Sequence, residues 1–521
     1  MKTQFEQFRP KDFVGSGDDR LYPLIKGLSK VISQVEKVYF FDTLKLDKSQ
    51  NFIMSNLLIE FAEDLHNDIG LWKSIEDYNN SMFNTPLPLF VNENCKIEDT
   101  FDIHRIKYFI YTIFHEFDDE LIISPEHRDL KILAEGVSNF LNLKFKSVPK
   151  DSGVKLFLSQ PNDYGWDFKR KLVWVGLNSY LFRYSCYRYI QEENNGEMDI
   201  ATIDDFICQE NTYWSGLGVI DILAKALELP EKIQSDIRSW YERLVSFYRV
   251  ISLKDNILEL ENIINEQVYQ VHLENDQNVF RNEDIVFGGI VPYGESYYWS
   301  GVQQRFGKVT KDKLRKAKND FVTKSTRIVY RYDKNLLGKA LEDIEAHCSD
   351  FKSFFDNDLV IFQDGLTMAA ALYKKDKEKY EKYEKLPKNK LNGLMKKRSS
   401  KNPFPNMNLP DYILNANDGV AVYFNPGEGI EIMSGFDDVK RGFEKRGMNL
   451  TEDEQDAIRQ FIESVTISPN FVMRMVKENE DKSIASSFLI DHEINCTSFL
   501  LHKFKGHFFR NRYPEISYSL G

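Results

Sequence analysis

The sequence lacks the long apolar runs, paired cysteines and leader segment that mark membrane or secreted proteins. It contains no run of about 18 apolar residues, so we expect no membrane span. The first nine residues lack the apolar stretch of a secretory signal. The five cysteines form no Cys-x-x-Cys pair, which argues against a disulfide framework and a cysteine-built zinc site: Cys95, Cys186, Cys208, Cys348 and Cys496. Together these absences predict a cytoplasmic protein.

Signatures of catalysis are missing too. The sequence has no Gly-x-Ser-x-Gly elbow, no phosphate-binding P-loop and no dinucleotide-binding fingerprint. The glycines of Asn425-Pro-Gly-Glu-Gly429 are better explained by a hairpin turn. The sequence therefore favours a non-enzymatic role and predicts no cofactor, although catalytic residues need not be close in sequence.

The densest cluster of metal-ligating residue types begins at His115. A helical zinc protease has a second histidine four residues after the first, because both imidazoles must reach one metal ion. Asp119 occupies that position here, and Glu116 lies between the two. One hypothesis is therefore an enzyme with a dispersed metal site at His115, Glu116 and Asp119, and the alternative is a solvated run of charges at a helix end.

Charge is unevenly distributed along the chain. The formal net charge of −12 argues against bulk binding to nucleic acid or anionic membrane. Residues 51–130 contain 16 Asp and Glu against 5 Lys and Arg, whereas residues 374–401 contain 12 Lys and Arg against 4 Asp and Glu. Lys396, Lys397 and Arg398 in the basic stretch are candidates for phosphate contacts without sequence specificity. The alternative is a solubilising linker that pairs with the acidic segment of the same chain.

Apolar periodicity predicts a mainly helical α+β protein of several domains. Residues 1–200 repeat apolar side chains every three or four positions, which is typical of a helical bundle. Within them, Leu172–Tyr189 is apolar on all sides and predicts one helix buried in the bundle. The remaining chain divides into residues 201–310, a helical pair plus a small β module; residues 311–385, an α/β segment; residues 386–417, a linker rich in Pro, Lys and Asn; and residues 418–521, a C-terminal α+β unit.

The β module is predicted from alternating and β-branched residues. A helix from Pro230 to Tyr248 is expected to precede it, because Ile233, Ile237, Trp240 and Leu244 share one helical face. Four strands should follow and close a small barrel or curled sheet: residues 257–261, 268–273, 284–291 and 296–305. Pro292-Tyr293-Gly294-Glu295 supplies the turn between the last two strands.

The aromatic residues of the last strand are the best candidates for a binding surface. Tyr298 and Trp299 have two interpretations, the core of a small domain or a platform for a ligand. Gly301 permits another backbone to come close in either case. We therefore predict contact with an unidentified protein partner at Tyr298, Trp299 and Gly301.

The order of several short motifs resembles a known family. The motifs are Phe8-Arg9-Pro10, Tyr22, Glu63-Asp64, Leu71-Trp72, Pro86 to Phe90, Ile122 to Pro125, Trp174 to Phe182, Gly289 to Pro292 and Tyr298 to Gly301. In this order they resemble an uncharacterised family of bacterial proteins, frequent in gut Bacteroidetes and known only as a domain of unknown function. The resemblance covers about residues 1–305. It implies a bacterial cytoplasmic protein and no reaction, cofactor or catalytic residue.

Three functional hypotheses follow from the sequence. The first is a non-enzymatic interaction or adaptor protein, because catalytic signatures are missing and an aromatic β module accompanies a large helical scaffold. The second is a nucleic-acid-associated protein of a regulatory or defence system that uses residues 374–401. The third is the metal enzyme described above.

Overall fold

The computed structural model describes residues 5–41, 43–91, 97, 99–118, 124–212, 215–274, 279–324, 334–385, 387, 409–445, 449–464, 466–478, 501, 504 and 505. The chain forms two compact units, which run mainly from Met1 to Arg315 and from Lys316 to Ser486. The fold is α+β and mainly helical, as the sequence predicts. No helix within the described ranges combines the length and the hydropathy needed to cross a membrane.

The first unit begins with helices. They are α1 (Asp18–Tyr39), α2 (Lys48–Asn67), α3 (Leu71–Phe83), α4 (Ile103–Phe117), α5 (Arg128–Lys144), α6 (Gly153–Leu158), α7 (Gly165–Asn178), α8 (Arg183–Asn194), α9 (Ile200–Gln209), α10 (Val219–Ala226) and α11 (Glu231–Arg238). The apolar repeat predicted for residues 1–200 is seen on α1, where Leu21, Ile25, Leu28 and Ile32 are buried. Asp47 caps α2 and forms a reciprocal capping box with Gln50.

The prediction of one helix over Leu172–Tyr189 is wrong. The chain leaves helical geometry after Asn178 and resumes it at Arg183, so α7 and α8 are separate helices. Ser179 has an extended backbone with a ψ of 152°, and the Oη atom of Tyr180 donates a hydrogen bond to Asp64 at 2.6 Å. The break therefore lets Tyr180 reach the buried Asp64. The apolar pattern of the sequence does not indicate this contact.

A five-stranded closed barrel completes the first unit. Its strands are β1 (Leu244–Lys254), β2 (Ile257–Asn262), β3 (Val268–His272), β4 (Ile285–Tyr293) and β5 (Ser296–Gly307), in the order β1-β2-β3-β5-β4. All neighbouring pairs are antiparallel except β3 and β5, which are parallel and pair only at Val271 with Tyr297 and at His272 with Tyr298. Of the two predicted forms, a barrel or a curled sheet, the barrel is observed, with five strands instead of the predicted four. The predicted hairpin of the last two strands is confirmed.

The predicted helix from Pro230 to Tyr248 is wrong beyond Arg238. A 3-10 turn (Ser239–Glu242) follows α11, and Leu244 begins β1. Ser246, Tyr248 and Val250 are buried at alternate positions, as in a strand with one face on a core. Leu244 and Tyr248 are four residues apart, a spacing that fits a helix face as well as the same face of a strand. Packing inside the barrel decides between the two.

The second unit contains a three-stranded antiparallel sheet in the order β6-β7-β8. The remaining elements are α12 (Lys311–Lys324), α13 (Lys334–Phe355), β6 (Leu359–Phe362), α14 (Gly365–Glu384), α15 (Asp411–Leu414), β7 (Val420–Asn425), β8 (Gly429–Ser434), α16 (Phe436–Glu444), α17 (Glu452–Glu463) and α18 (Pro469–Glu478). Because β6 pairs with β7, residues on both sides of the predicted linker share one sheet. Residues 388–408 of that linker lie outside the described part of the chain.

Candidate functional site

A cavity of about 170 Å³ opens where β3 and β5 separate beyond their two paired residues. We call it the seam pocket. The first turns of α7 cover it on one side, and barrel residues form the other side. Its aromatic lining is Trp166, Trp240, His272, Tyr298 and Trp299, and its polar lining includes Lys169, Glu274 and Gln303. Tyr298 and Trp299, two of the residues predicted from the sequence, therefore lie at the same opening.

Neighbouring side chains of β5 face opposite ways. Tyr297 and Trp299 pack against the barrel core, whereas Tyr298 contacts α7 outside it. The ring centroids of Trp166 and Tyr298 are 5.3 Å apart with an interplanar angle of 77°. A Cβ atom on Gly165 would lie only 2.7 Å from the Tyr298 ring, so the helix comes this close because residue 165 is glycine. The pocket is therefore built jointly by the helix and the strand.

Trp299 is both a core residue and a wall of the seam pocket. Its ring stacks with Phe280 at 6.1 Å and meets Tyr248 edge-on at 6.2 Å. The Nε1 atom is buried and has no hydrogen-bond partner among the residues that the structure describes. A buried indole N–H normally finds an acceptor. Trp299 thus packs against the barrel core and also lines the seam pocket, and its indole N–H is a buried donor without an acceptor among the described residues.

A cluster of charges joins the helices to the barrel beside the pocket. Asp204 on α9 is buried and accepts hydrogen bonds from Lys169, from Arg243 at 2.6 Å and from Ser300 at 2.8 Å. Burial raises the pKa of Asp204, but the positive charges of Lys169 and Arg243 outweigh it and hold the pKa below the ordinary value. The carboxylate therefore remains ionised and holds α7, α9 and β5 together.

Gly301 belongs to this charge cluster rather than to the pocket wall. Its φ of +73° lies in the left-handed region that favours glycine, where the register between β4 and β5 shifts. A Cβ atom there would lie 3.1 Å from the Oδ2 atom of Asp204. The groups closest to this position are therefore side chains, and not the other backbone that the sequence analysis allowed for.

The metal-ligand candidates of α4 take part in contacts within the bundle. Glu116 accepts hydrogen bonds from Ser185 and from Arg188, each at 2.8 Å. The ring of His115 packs 4.5 Å from that of Tyr111. Asp119 lies outside the described residues, and within those residues no group of three His, Cys, Asp or Glu side chains is placed to hold a metal ion. Lys396, Lys397 and Arg398 also lie outside the described part of the chain.

Sequence reasoning missed a second cluster, of buried carboxylates on α2. Glu60, Glu63 and Asp64 are each at most 8% exposed and surround a cavity of about 20 Å³. Arg183, which is fully buried, pairs with Glu60 at 3.2 Å. The motifs Phe8-Arg9, Glu63-Asp64, Leu71 and Ser179-Tyr180 all line this cavity, although nothing in their sequence spacing indicates it. The cavity has room for about one water molecule, so the cluster is structural.

Asp64 serves as a cap for a helix other than its own. Its carboxylate accepts hydrogen bonds from the backbone N–H groups of Gly70 at 2.9 Å and Trp72 at 2.8 Å, at the start of α3. Gly70 has no side chain to do this, so the cap comes from the preceding helix. Burial raises the pKa of Asp64 to about 6 from an ordinary 3.8, against the opposing effect of these bonds and of the Tyr180 hydroxyl.

This raised pKa predicts a pH-dependent contribution to stability. The pKa of Asp64 is higher in the folded chain than in the unfolded chain, so the folded state binds the proton more tightly. The stability that this gives is fully present below about pH 4 and is lost as pH rises through about 6. Urea unfolding gives the free energy of unfolding of the native chain and of Asp64→Asn. The native value minus the variant value should be about 2 kcal/mol larger at about pH 4.5 than at about pH 7. Asp68→Asn, at a side chain that is 80% exposed, is the control and should show no such difference. An advantage that grows with pH would contradict this assignment.

Comparison of the chain with models of protein families, with curated proteins and with solved structures finds no match in any of the three.

Proposed function

We propose that this chain is a non-enzymatic, cytoplasmic interaction protein and that its seam pocket receives one side chain of a protein partner. The observation that carries the proposal is the pocket itself, with half-buried tryptophans from two different elements and the buried Nε1 donor of Trp299. Aromatic residues that remain partly open at a pocket are typical anchors of protein interfaces.

The size of the seam pocket supports a single inserted group. A cavity of about 150 Å³ accepts a molecule of the size of benzene. The volume of about 170 Å³ therefore suits one side chain and excludes a large cofactor. One well-packed side chain supplies much of the binding free energy in many interfaces, because it is fully removed from water.

The charge of the barrel supports a protein partner over a nucleic acid. The strand order, with one parallel pair between the third and fifth strands, corresponds to the five-stranded Greek-key barrel called the OB-fold, whose members bind oligonucleotides and oligosaccharides. Topology alone does not assign a ligand. Between Leu244 and Gly307 the chain has nine Asp and Glu against four Lys and Arg, a net charge of −5 that repels phosphates.

A cytoplasmic location is supported by the cysteines. Cys186, Cys208 and Cys348 are free thiols, and all three are buried. Burial raises the pKa of Cys186 to about 12, so its thiolate is scarce at neutral pH. Free, unreactive cysteines suit a reducing compartment.

The proposal predicts that partner capture depends on Trp166. This residue is half-buried on α7 and contacts Tyr298 and His272, so Trp166→Ala opens the pocket while leaving the barrel core intact. Loss of an aromatic anchor should weaken binding by about 2 kcal/mol or more, which corresponds to about a 30-fold loss of affinity. The measurement is affinity capture from native cells, followed by titration of the captured protein.

Two further variants make this experiment specific. Trp299→Phe keeps an aromatic ring on Phe280 and removes the Nε1 donor, so it should weaken binding while the unfolding temperature changes little. Phe306→Ala removes an aromatic side chain that is 47% exposed elsewhere on β5, and it should leave capture unchanged. Full capture by Trp166→Ala would refute the pocket as the binding site, and a partner digested by nuclease would favour the basic stretch of residues 374–401 instead.

A further inference from the structure

We infer that the group received by the seam pocket is the cation of an arginine or lysine in a basic segment of the partner. This inference rests on the proposed function and adds the chemistry of the ligand. Three features of the pocket carry it: the aromatic walls, the carboxylate at its rim and the charge of the barrel around it.

The aromatic walls suit a cation. Trp166 and Trp299 both line the pocket and both are half-buried, so part of each ring stays accessible, although Trp299 also packs against the barrel core. Each packs another ring on one side, with Trp166 stacked on Tyr164 at 4.6 Å and Trp299 stacked on Phe280 at 6.1 Å. Among aromatic side chains, tryptophan attracts guanidinium and ammonium groups to its ring face most strongly.

The rim supplies an exchangeable carboxylate. Among the described residues that line the pocket, Glu274 is the one carboxylate, and its side chain is 47% exposed. It pairs with Arg170, whose side chain is 58% exposed. Ion pairs this open to solvent are weak, so an incoming guanidinium displaces Arg170 at little cost. The basic group would then lie between a carboxylate and the indole faces.

The positive charge already present in the pocket is neutralised. Lys169 pairs with the buried carboxylate of Asp204 and lies 3.4 Å from the Oγ atom of Ser300. The barrel as a whole has a net charge of −5, so its field attracts cations. The Nε1 donor of Trp299 needs an acceptor. A peptide ligand offers backbone carbonyl groups beside its inserted side chain, whereas an isolated metal cation offers no acceptor.

An anionic ligand fits these contacts poorly. The N-terminus of α7 lies at the pocket, but Asp167 at its third position accepts a hydrogen bond from the Tyr164 backbone N–H at 3.0 Å and already places a negative charge there. Glu274 adds a second carboxylate close to the first, because Arg170 hydrogen-bonds to both Asp167 and Glu274. Phosphate or carboxylate ligands would therefore meet two like charges at this part of the rim.

The test uses two synthetic peptides and the full-length chain. One short peptide contains several arginines among glycine and serine, and the other has every arginine replaced by citrulline, which has the same shape without the charge. Fluorescence anisotropy should show at least about tenfold tighter binding of the arginine peptide. Raising the salt concentration from about 50 mM to about 300 mM should narrow that difference.

Matched variants locate the binding site. Glu274→Gln should weaken the arginine peptide about fivefold and leave the citrulline peptide unchanged. Glu266→Gln removes the same charge from an exposed position between β2 and β3 and should have no effect. Equal affinity for the two peptides, or equal losses in the two variants, would overturn the inference. If Trp166→Ala still abolished partner capture in that case, the proposed function would stand and only the inference about a cationic ligand would fall.

Discussion

Replacing Arg9 by methionine should lower the free energy of unfolding of the first unit by about 3–5 kcal/mol. The guanidinium holds Glu63 through two parallel hydrogen bonds of 2.6 and 2.7 Å and reaches Asp18 at 2.8 Å. Burial would lower the pKa of Arg9, but the charges of Glu63 and Asp18 raise it above its ordinary value, so the group stays ionised. Methionine fills similar volume and leaves both carboxylates without their cation.

The measurement is urea unfolding of the full chain, with tryptophan fluorescence as the signal. All six tryptophans lie between residues 72 and 299, so the signal reports on the first unit alone. The double variant Arg9→Met with Glu63→Gln should recover part of the loss, because one uncompensated charge is then absent. Arg20→Met, at an exposed arginine on α1, is the matched control and should change stability by less than about 0.5 kcal/mol. A loss below about 1 kcal/mol for Arg9→Met would mean that the bidentate pair contributes little.

The importance of Arg9 marks the limit of what the sequence predicts about this unit. Periodic apolar side chains identify α1 and its buried stripe, and turn residues identify the hairpin of β4 and β5, because those signals are local. The pairing of Arg9 with Glu63 crosses 54 positions, and no local pattern encodes which carboxylate an arginine meets. The break between α7 and α8 has the same origin, since Tyr180 turns toward Asp64 across 116 positions.

The seam pocket shows a similar division between local and long-range information. Tyr298 and Trp299 are recognisable in the sequence as aromatic residues of a small β module, and both line the pocket. Trp166 and Lys169 are not recognisable as members of the same site, because they lie on a helix more than a hundred residues earlier. Gly301 was predicted to let another backbone come close, but the group that lies nearest to it is the side chain of Asp204, again from a distant helix.

Asp204 carries the second large prediction. Asp204→Asn should lower the free energy of unfolding of the first unit by about 2–4 kcal/mol, because the positive charges of Lys169 and Arg243 then lose their shared, buried carboxylate. It should also weaken partner binding, since α7 and β5 form opposite sides of the pocket and meet at this cluster. Urea unfolding and partner capture measure the two effects on the same protein sample.

The neighbouring carboxylate separates burial from charge. Asp205 pairs with the same Arg243, but its side chain is 46% exposed against 3% for Asp204. Asp205→Asn should therefore cost less than about 1 kcal/mol, because water already screens that pair. Equal losses for the two variants would mean that the net charge near Arg243 matters and the buried geometry does not.

The pH dependence of the same variant tests the ionised state of Asp204. Its folded pKa lies below the unfolded value, so the stability it contributes is present above about pH 4 and is lost as pH falls further. The native chain and Asp204→Asn should consequently differ most near neutral pH and approach each other in acid. Asp64 should behave in the opposite way, because its pKa is raised. Opposite pH profiles for these two aspartates would separate two effects on a carboxyl pKa. Burial raises the pKa of Asp64, which faces only hydrogen-bond donors, whereas the paired cations lower the pKa of Asp204 despite its burial.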